Sequence, residues 1–412
     1  MSLTRKEKGF VFFAMLSAFA ICAEYAITRP ASNALFLTLF SSKLYPLVWL
    51  ATVPLNAFVI YLYNWLLPKM GPFRFLSIFA FVTVLINALS AFFCKEIPSI
   101  LFFQFAWKDI YVLLMLKQLW SMIHSTIPSN SAKYLYGSIY GVGTLGAICG
   151  SLVPALLATV LGSEALLGLT APIYAFFLFF YWMALRKSGV PLSDFSKELT
   201  HDPKPKEAFS LIRRTPLLIA ILSLVIFMQA SVALMEYQFN AHLEIHILEK
   251  DLRAAYYGKL MSFVNMASLF FQFLGGLFII RFLGLKKAHL LVPILLLGSS
   301  LLIFVVPSFA MISFAYVFLK GLEFSLFGVM REMLYVPLAL DAKFRAKAII
   351  DVFAYRTSKA LVALGLIALQ VAGTSWLLSL TSYASVALFI GWLLALGYFF
   401  RRERNLSLTA PH

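Results

Sequence analysis

The sequence has few charged residues and very little cysteine. Of its 412 residues 13% are Asp, Glu, Lys or Arg, whereas soluble domains usually have roughly 25%. Its three cysteines, Cys22, Cys94 and Cys149, each lie inside an apolar stretch, which excludes a disulfide scaffold and a Cys-x-x-Cys metal cluster. Apolar side chains make up 61% of the chain and the mean hydropathy is +0.88. These values exclude a soluble enzyme and predict that most of the mass lies inside a bilayer.

Long apolar runs recur along the chain. Each is near the length that a helix needs to cross about 30 Å of hydrocarbon, whereas a β-barrel would need shorter alternating segments. The runs predict about twelve transmembrane helices, at 10–28, 45–66, 75–94, 99–124, 134–161, 166–185, 216–240, 256–280, 288–307, 309–330, 347–372 and 375–400. The basic residues before the first run are typical of a signal peptide, but the run continues to Ile27 and opens a regular series of spans, which favours a retained helix.

The net charge is +16, but the basic residues lie in short segments between the apolar runs and form no continuous basic face. We therefore expect no nucleic-acid partner. Because lysine- and arginine-rich loops stay in the cytoplasm, the distribution predicts that both termini are cytoplasmic. The opposite side receives only Arg29, Lys43, Lys95, Lys250, Arg253 and Lys259.

The longest polar segment, 186–214, separates six predicted spans from six. We therefore expect an N-terminal six-helix bundle at 1–185, a basic cytoplasmic linker, and a C-terminal six-helix bundle at 215–412. The predicted fold class is an all-α polytopic membrane protein. Two six-helix bundles joined in this way are the arrangement of the major facilitator superfamily, whose substrates bind near the midplane between the halves.

Ionisable side chains inside predicted spans are informative, because each costs about 2.5–3.5 kcal/mol at a helix centre on insertion scales. They are Glu24, Lys108, Asp109, Lys117, Glu236, Lys320, Glu323, Arg356 and Lys359. Lys320 and Glu323 are three residues apart, and Lys108 adjoins Asp109. We expect internal ion pairing within these two sets.

Arg356 and Lys359 are also three residues apart, but both are cationic. Stacking two cations on one buried helix face is unfavourable unless an anion joins them, and a phosphate or carboxylate substrate would do so. The alternative is that both side chains reach to the cytoplasmic interface, since they lie early in the eleventh span. Spacing alone leaves both interpretations open.

Glu236 lies late in the seventh span among Gln229, Gln238 and Asn240. A carboxylate near several amides can receive the amino and hydroxyl groups of a base and ribose, or it can carry a coupled proton. The alternative is that Glu236 holds an arginine of the opposite half. In the fifth span, two small-xxx-small repeats predict close helix packing at the moving interface: Gly137, Gly141, Gly146 and Gly150.

One segment near the C-terminus carries a family resemblance. It reads REMLYVPL at 331–338 and RAKAIIDVFAYRTSK at 345–359. It resembles the most distinctive stretch of the ADP/ATP translocase (nucleotide transporter) family of plastids and obligate intracellular bacteria, which typically reads KEMxYxPL and then KGKAAxDVxGGRxGKSGG. The matching positions are Glu332, Met333, Tyr335, Pro337, Leu338, Lys347, Ala348, Asp351, Val352, Arg356 and Lys359. Weaker matches are Tyr25, Ile27, Arg29, Leu119, Trp120 and Glu236.

The resemblance implies a twelve-helix carrier of the major facilitator type that exchanges nucleotides, commonly host ATP for bacterial ADP, across the inner membrane of an intracellular bacterium. Lys359 and Glu236 fall where the family has a transport-critical lysine and glutamate. The predicted substrate-binding residues are Lys359, Arg356, Glu236, Arg29, Gln118, Lys117 and Asn33. The predicted structural or gating residues are Asp351, Lys347, Glu332, Arg331, Lys320 and Glu323.

The first half departs from the family pattern. Ser32 and Asn33 stand where the family has lysine and aspartate, and Gln118 replaces a glutamate. The lost lysine removes one phosphate partner, so a triphosphate with about four negative charges would be less well neutralised. Lys117 and Lys108 can supply charge from a new direction. A less charged nucleotide, a dinucleotide such as NAD, or another phosphorylated metabolite is equally compatible.

Other classes of function stay open. The chain has neither an Asp-Asp-x-x-Asp pair nor a His-Glu-x-x-His motif, so we expect no enzyme and no cofactor. His242 and His246 have helical spacing that suits zinc, although an amphipathic connector explains them as well. A proton-coupled transporter of a non-nucleotide solute and a non-transporting relative of this family are the main alternatives. A channel is disfavoured because two unlike halves give no symmetric ring, and we expect a monomer.

Overall fold

The computed structural model describes residues 5–127, 129–189, 205–272, 276–335, 350, 354–373 and 376–409. Within this part of the chain every regular element is helical. Uninterrupted apolar runs favour this outcome, because a helix satisfies its own backbone hydrogen bonds where no water is present. The helices that the apolar runs predict are therefore the elements that the described residues form.

The described helices, numbered in chain order, are α1 (Arg5–Leu39), α2 (Tyr45–Met70), α3 (Pro72–Phe93), α4 (Pro98–Thr126), α5 (Ser129–Leu161), α6 (Ser163–Gly168), α7 (Thr170–Ser188), α8 (Pro205–Arg214), α9 (Pro216–His246), α10 (Lys250–Phe270), α11 (Gly276–Val305), α12 (Phe309–Leu322), α13 (Gly328–Leu334), α14 (Tyr355–Val371) and α15 (Leu377–Thr409). A 3₁₀ turn at Ser42–Leu44 precedes α2, and a π-helical turn at Glu323–Phe327 joins α12 to α13. Proline opens α3 and α4, where its missing N–H leaves no hydrogen bond unmade.

Ten segments of the described residues are long and apolar enough to cross a membrane. The chain is thus a multi-pass integral membrane protein. The predicted eighth and eleventh spans correspond to α10 and α14, which are 21 and 17 residues long and carry charged residues. The predicted border between the eighth and ninth spans corresponds to a break inside α11 at Gly284, whose backbone has φ 74° and ψ 159°. Glycine accepts this positive φ because it has no Cβ.

The first helix is longer than its apolar run predicts. Instead of ending near residue 28, α1 continues through Pro30 to Leu39. Arg29, which the sequence places at a loop on the outer side, is therefore inside a helix. The continuation has a physical reason: most of the residues after Pro30 are small or apolar, and Ala31, Ala34 and Leu35 are buried in a common cluster. Their burial offsets the backbone hydrogen bond that proline removes.

The chain divides into two compact units. The first unit comprises Met1–Ser41, Ala51–Asp202 and Ile247–Asn265, and the second comprises Ser42–Leu50, Pro203–His246 and Met266–His412. In the first unit α1 is the central helix and packs against α4, α5 and α7. In the second unit α9 is central and packs against α12, α14 and α15. Side chains that point inward from α1 and α9 are therefore the ones withdrawn from lipid.

Close packing in the first unit depends on glycine. A Cβ atom at Gly146 would overlap the backbone of Phe19, and one at Gly150 would overlap the backbone of Ala23. The second small-xxx-small repeat thus lets α5 touch the backbone of α1, as the spacing predicts. Gly137 differs, because a Cβ there would meet nothing within 4 Å. That these glycines serve a moving interface stays a prediction.

Candidate functional site

Two ionisable side chains of opposite sign meet inside the second unit. Glu236 lies on α9 and Lys359 on α14, and the Lys359 Nζ is 3.8 Å from the Glu236 Oε2. The side chain of Lys359 is 13% exposed and that of Glu236 is 14% exposed. Because an isolated charge costs about 2.5–3.5 kcal/mol at the centre of a spanning helix, each side chain offsets the burial of the other.

The Lys359 ammonium also faces an aromatic ring. Its Nζ lies 4.7 Å from the ring centroid of Trp49, which is buried near the beginning of α2. This distance is within the range of about 6 Å over which a cation is attracted to an indole face. A carboxylate on one helix and an indole on another therefore fix the place at which Lys359 presents its charge.

Arg356 lies one turn before Lys359 on α14. Its guanidinium carbon is 5.9 Å from the ring centroid of Tyr355, and its side chain is half-buried. Residues three apart share a helix face, so Arg356 and Lys359 form one cationic face. Such a face suits a ligand with several negatively charged oxygens, and phosphate and carboxylate groups meet that requirement.

The side-chain amides that are close to Glu236 in sequence point in different directions. The Asn240 side-chain amide donates a hydrogen bond to the backbone carbonyl of Glu236 at 2.6 Å. Gln238 donates to a serine of α15 at 2.7 Å, and Gln229 donates to Glu323 at 3.1 Å. At about 100° per residue, Gln238 points to the opposite side of α9 from Glu236, and Gln229 lies about 10 Å along the axis from it. Gln229 and Gln238 are thus committed to other contacts.

A second ion pair in this unit is shorter. The Lys320 Nζ is 3.0 Å from the Glu323 Oε2, and the two side chains are 4% and 9% exposed. From α9, the Gln229 side-chain amide donates a hydrogen bond to the same glutamate, Glu323. The predicted internal pairing of Lys320 with Glu323 is confirmed, while a gating role for it stays a prediction. Glu323 also begins the π-helical turn, a local widening that is frequent at functional sites.

In the first unit, Arg29 and Asn33 lie on the second half of α1. The Arg29 guanidinium carbon is 5.7 Å from the ring centroid of Tyr257 on α10. Asn33 is 4% exposed. Asn33 is thus buried and Arg29 half-buried, and the substrate-binding role predicted for them stays a prediction.

Gln118 and Lys117 are neighbours on α4 but differ in burial. Gln118 is buried, and its amide donates to the backbone carbonyl of Pro72 at the start of α3. Lys117 is exposed, and its Nζ lies 5.4 Å from the ring centroid of Tyr63. The structure therefore does not bring these two predicted substrate residues together.

Several predicted gating residues fall on segments that are not described. Lys347 and Asp351 lie outside the described residues, and so does the side chain of Glu332. Arg331 lies on α13 and is half-buried. The roles predicted for these four residues stay predictions.

Sequence reasoning missed two contacts of α14, the helix that carries Lys359. One is Trp49, and the other is a bond from the Gln370 amide to the Tyr237 hydroxyl at 3.3 Å, which ties α14 to α9. Aromatic residues are common near the ends of membrane helices, so the identity of Trp49 gave no sign of a cation partner. Tyr237 and Gln370 are 133 residues apart, and a single sequence carries no signal for such a pair.

The histidine pair on α9 has an ordinary structural account. The His246 ring stacks on Phe309 with centroids 4.9 Å apart, and its Nδ1 lies 2.9 Å from the carbonyl oxygen of His242. Among the described residues no group of three His, Cys, Asp or Glu side chains could hold a metal ion. Nothing in this part of the chain therefore favours the zinc interpretation.

Solved transporters share the fold. A mutant of the nucleoside transporter NupG superposes with a TM-score of 0.66 at 13% identity, covering 95% of this chain and 100% of that one. A POT family transporter in complex with 5-aminolevulinic acid superposes with a TM-score of 0.66 at 14% identity, covering 93% and 96%. At these identities the likeness shows the fold alone. The predicted fold class is confirmed: the chain is an all-α polytopic membrane protein whose fold is the one that these solved transporters have.

The sequence comparisons narrow this class. Residues 310–399, which include Arg356 and Lys359, match the family model described as TLC ATP/ADP transporter. The chain is 28% identical to "ADP,ATP carrier protein 1" of Chlamydia muridarum and to the protein of that name from Chlamydia trachomatis serovar D. Each match covers 45% of this chain, and the chain covers 40% of the length of each relative. The resemblance to the ADP/ATP translocase family is thereby confirmed.

Proposed function

We propose that the chain is a carrier that moves a nucleotide, or a related phosphorylated anion, across a bacterial inner membrane by alternating access. The observation that carries this proposal is the cationic face of α14, with Arg356 and Lys359 one turn apart and Glu236 of α9 opposite Lys359. This face falls within the residues that match the ATP/ADP transporter model. The printed name of the Chlamydia relatives makes ADP and ATP the first substrates to test.

The Lys359–Glu236 pair suits the exchange of one anion for another beside the lysine. Charge-assisted N–H···O bonds are usually about 2.7–2.9 Å long. At 3.8 Å the pair is a long one, so a phosphate oxygen can take the place of the carboxylate at little cost. Arg356 then binds a second phosphate oxygen through its fork of N–H groups. Glu236, released from Lys359, accepts hydrogen bonds from the amino or hydroxyl groups of a base and ribose.

Contacts in the first unit support a substrate with fewer negative charges than ATP. The Ser32 hydroxyl donates to the Gln104 Oε1 at 2.6 Å, and the Gln118 amide donates to the Pro72 carbonyl. Ser32 and Gln118 stand where the ADP/ATP translocase family has a lysine and a glutamate. In this chain Ser32 joins α1 to α4, and Gln118 joins α4 to α3. A nucleoside diphosphate or a dinucleotide therefore fits this chain better than a triphosphate.

The transport cycle follows from the fold type, in which a site near the midplane opens to one face of the membrane at a time. We place the two halves at 1–185 and 215–412, with 186–214 as a cytoplasmic linker and both termini in the cytoplasm, because basic residues collect on that side. The proposed partners are a small-molecule substrate and the lipid bilayer, without nucleic acid, and the proposed assembly is a monomer.

The test is uptake by bacterial cells that express the full chain. Labelled ADP, ATP, other nucleoside phosphates and NAD are supplied with and without preloading of unlabelled nucleotide. Lys359→Ala is measured beside Lys95→Ala, which removes an exposed loop lysine as a matched control. Charge-assisted hydrogen bonds contribute about 1.5–3 kcal/mol, so Lys359→Ala is expected to weaken substrate binding by about 10- to 100-fold.

Saturable uptake that preloading stimulates, and whose apparent affinity falls in Lys359→Ala by about this factor but not in Lys95→Ala, would support the proposal. Uptake that does not saturate would favour a channel, and uptake of none of these compounds would refute a nucleotide carrier. The double variant Lys359→Ala/Glu236→Ala checks the fold, because it removes both charges together. If the double variant folds and still transports at the wild-type rate, the assignment of Lys359 as the anion partner is wrong.

A further inference from the structure

A buried carboxylate of the first unit has no part in the proposed substrate site. Glu24 lies near the middle of α1 and is 2% exposed. The Thr28 hydroxyl, one turn further along α1, donates to the Glu24 Oε1 at 2.6 Å. The Tyr111 hydroxyl of α4 lies 2.9 Å from Oε1 and 3.0 Å from Oε2. The Tyr174 hydroxyl of α7 also faces this carboxyl group. Hydroxyl groups therefore supply the polar contacts of a carboxyl group deep inside a helix bundle.

The neighbouring carboxylate on α4 shows a different arrangement. Asp109 accepts from the Tyr25 hydroxyl at 3.2 Å and lies 3.3 Å from the Lys108 ammonium. Two hydrogen bonds between a tyrosine hydroxyl and a carboxyl group thus join α1 to α4: Tyr111 contacts Glu24, and Tyr25 contacts Asp109. A lysine accompanies Asp109. Among the described residues no lysine, arginine or histidine is ion-paired with Glu24.

Other charged and titratable groups on α1 and on the helices packed against it leave this contrast intact. Those in the same part of the bundle include Tyr111, Lys108 and Asp109 on α4, Tyr174 on α7, Glu164 on α6, and Cys22, Tyr25 and Arg29 on α1 itself. The Tyr174 ring packs on that of Tyr111 with centroids 6.3 Å apart, and Glu164 is ion-paired with Lys250. From α5, Gly150 approaches the residue before Glu24 and presents no side chain.

Hydroxyl groups suit a carboxyl group that changes its protonation state. A hydroxyl donates to an ionised carboxylate, and after rotation it accepts from a protonated one, so neither state leaves a buried polar atom without a partner. A lysine donates only and favours the ionised form alone, as at Asp109. Inside a membrane protein, carboxyl groups with such freedom are the usual components of proton pathways.

We propose that Glu24 is a reversible proton-binding site through which the carrier couples substrate movement to a proton. The coupling rests on the proposed carrier function, whereas proton binding itself does not. One proton adds to one carboxylate oxygen of Glu24 to form an O–H bond, and the same bond breaks on release. No electron is transferred and no other co-reactant is needed.

The first experiment observes the proton directly by infrared difference spectroscopy of the purified full-length protein in lipid, as the pH is varied. The carboxylic acid C=O band of a buried, protonated Glu24 is expected in the wild type and in Asp109→Asn. It is expected to be lost in Glu24→Gln, which keeps an acceptor for Thr28 and Tyr111. An absent band in the wild type, or an unchanged band in Glu24→Gln, would overturn the proposal.

A second variant guards against failure of Glu24→Gln to fold. Tyr111→Phe removes one hydroxyl donor and leaves the carboxyl group in place. Because the ionised form loses a donor, the midpoint of the band's pH titration is expected to move to higher pH. An unmoved midpoint would mean that the band belongs to another carboxyl group, and it would count against Glu24.

The second experiment tests coupling in proteoliposomes with an imposed pH gradient. If one proton moves with each substrate, accumulation rises by up to about tenfold per pH unit of gradient. Glu24→Gln is expected to abolish this response and to keep exchange at zero gradient. Transport that ignores the gradient in the wild type would refute coupling. A titrating band without transport of any nucleotide would refute the proposed cargo and leave the proton site standing.

Discussion

Glu24 of the first unit and the two ion-paired lysines of the second unit are stabilised by different means. In the second unit, one buried and one half-buried lysine are paired with carboxylates, at 3.0 Å for Lys320–Glu323 and 3.8 Å for Lys359–Glu236. In the first unit, the carboxyl group of Glu24 is held by hydroxyl groups. An ion pair fixes the charge of both partners, whereas hydroxyl partners let the charge vary. In our proposals, the ion-paired lysines of the second unit therefore offer fixed charge to an anion, and Glu24 of the first unit offers a place for a proton.

The two ion pairs of the second unit also differ from each other. Lys320 and Glu323 lie in one continuous stretch of helix, are almost fully buried and are close together. Lys359 and Glu236 come from different helices, are further apart and are more exposed. A close, buried pair is costly to open, whereas a long one opens readily to admit a competing anion. This distinction separates the lysine that supports the fold from the lysine that we assign to substrate.

The largest expected effect comes from removing one lysine of each pair. Lys320→Met leaves Glu323 buried without its ammonium, and breaking a buried pair costs about 3–5 kcal/mol. Lys359→Met breaks a longer and more exposed pair, so we expect a smaller loss of stability but the larger loss of uptake. The melting temperature of the purified protein and the initial uptake rate measure the two effects.

The double variant Lys320→Met/Glu323→Gln is the control, because it leaves no buried charge and should recover most of the stability. The distinction between the two pairs would fail if Lys359→Met lowered the melting temperature as much as Lys320→Met does. It would also fail if Lys320→Met reduced uptake more than it reduced the amount of folded protein.

Apolar runs predicted the fold class well, because the bilayer imposes helix length and backbone satisfaction on any spanning segment. The spacing of Lys320 and Glu323 predicted their pairing, since residues three apart share a helix face whatever surrounds them. The end of α1 was predicted less well. Pro30 is typical of a helix end, yet burial of the residues after it carries the helix on to Leu39.

Contacts between distant parts of the chain were beyond sequence reasoning. Trp49 beside Lys359 and Tyr111 beside Glu24 depend on which helices are neighbours, and a single sequence does not specify this. The direction of Gln238 was accessible in principle, because helix geometry alone turns it away from Glu236. Proximity in sequence was a poor guide there, whereas angular position on the helix was a good one.

A smaller effect is expected where α5 touches α1, beside Glu24. Gly150→Ala introduces a Cβ into the backbone of Ala23, and overpacking of this kind costs about 1–3 kcal/mol. Gly137→Ala is the matched control on the same helix, where a Cβ meets nothing within 4 Å. Alanine there is expected to stabilise α5 by about 0.5–1 kcal/mol, because glycine is a poor helix former.

Melting temperatures of the two alanine variants measure this difference. If tight packing also positions the carboxyl group of Glu24, Gly150→Ala should shift the infrared titration while Gly137→Ala leaves it unchanged. Equal melting temperatures for the two variants would show that α5 does not rest on the α1 backbone, and the account of a closely packed first unit would be wrong.

The smallest expected effect tests whether Ser32 serves packing. Its hydroxyl joins α1 to Gln104 on α4, and the Gln104 amide continues to Asn87 on α3 at 3.1 Å. Hydrogen bonds between membrane helices contribute about 0.6 kcal/mol on average and at most about 1.7. Ser32→Ala should therefore lower stability by about 1 kcal/mol. Ser77→Ala is the matched control, because the Ser77 hydroxyl bonds the Phe73 carbonyl within its own helix.

Uptake decides between the two roles open to Ser32. If Ser32 holds helices together, Ser32→Ala lowers the melting temperature slightly more than Ser77→Ala does and leaves the apparent affinity for nucleotide unchanged. A loss of affinity at full stability would instead place Ser32 at the substrate. The first unit would then contribute directly to anion binding, and its interior would resemble that of the second unit more closely than the hydroxyl contacts of Glu24 indicate.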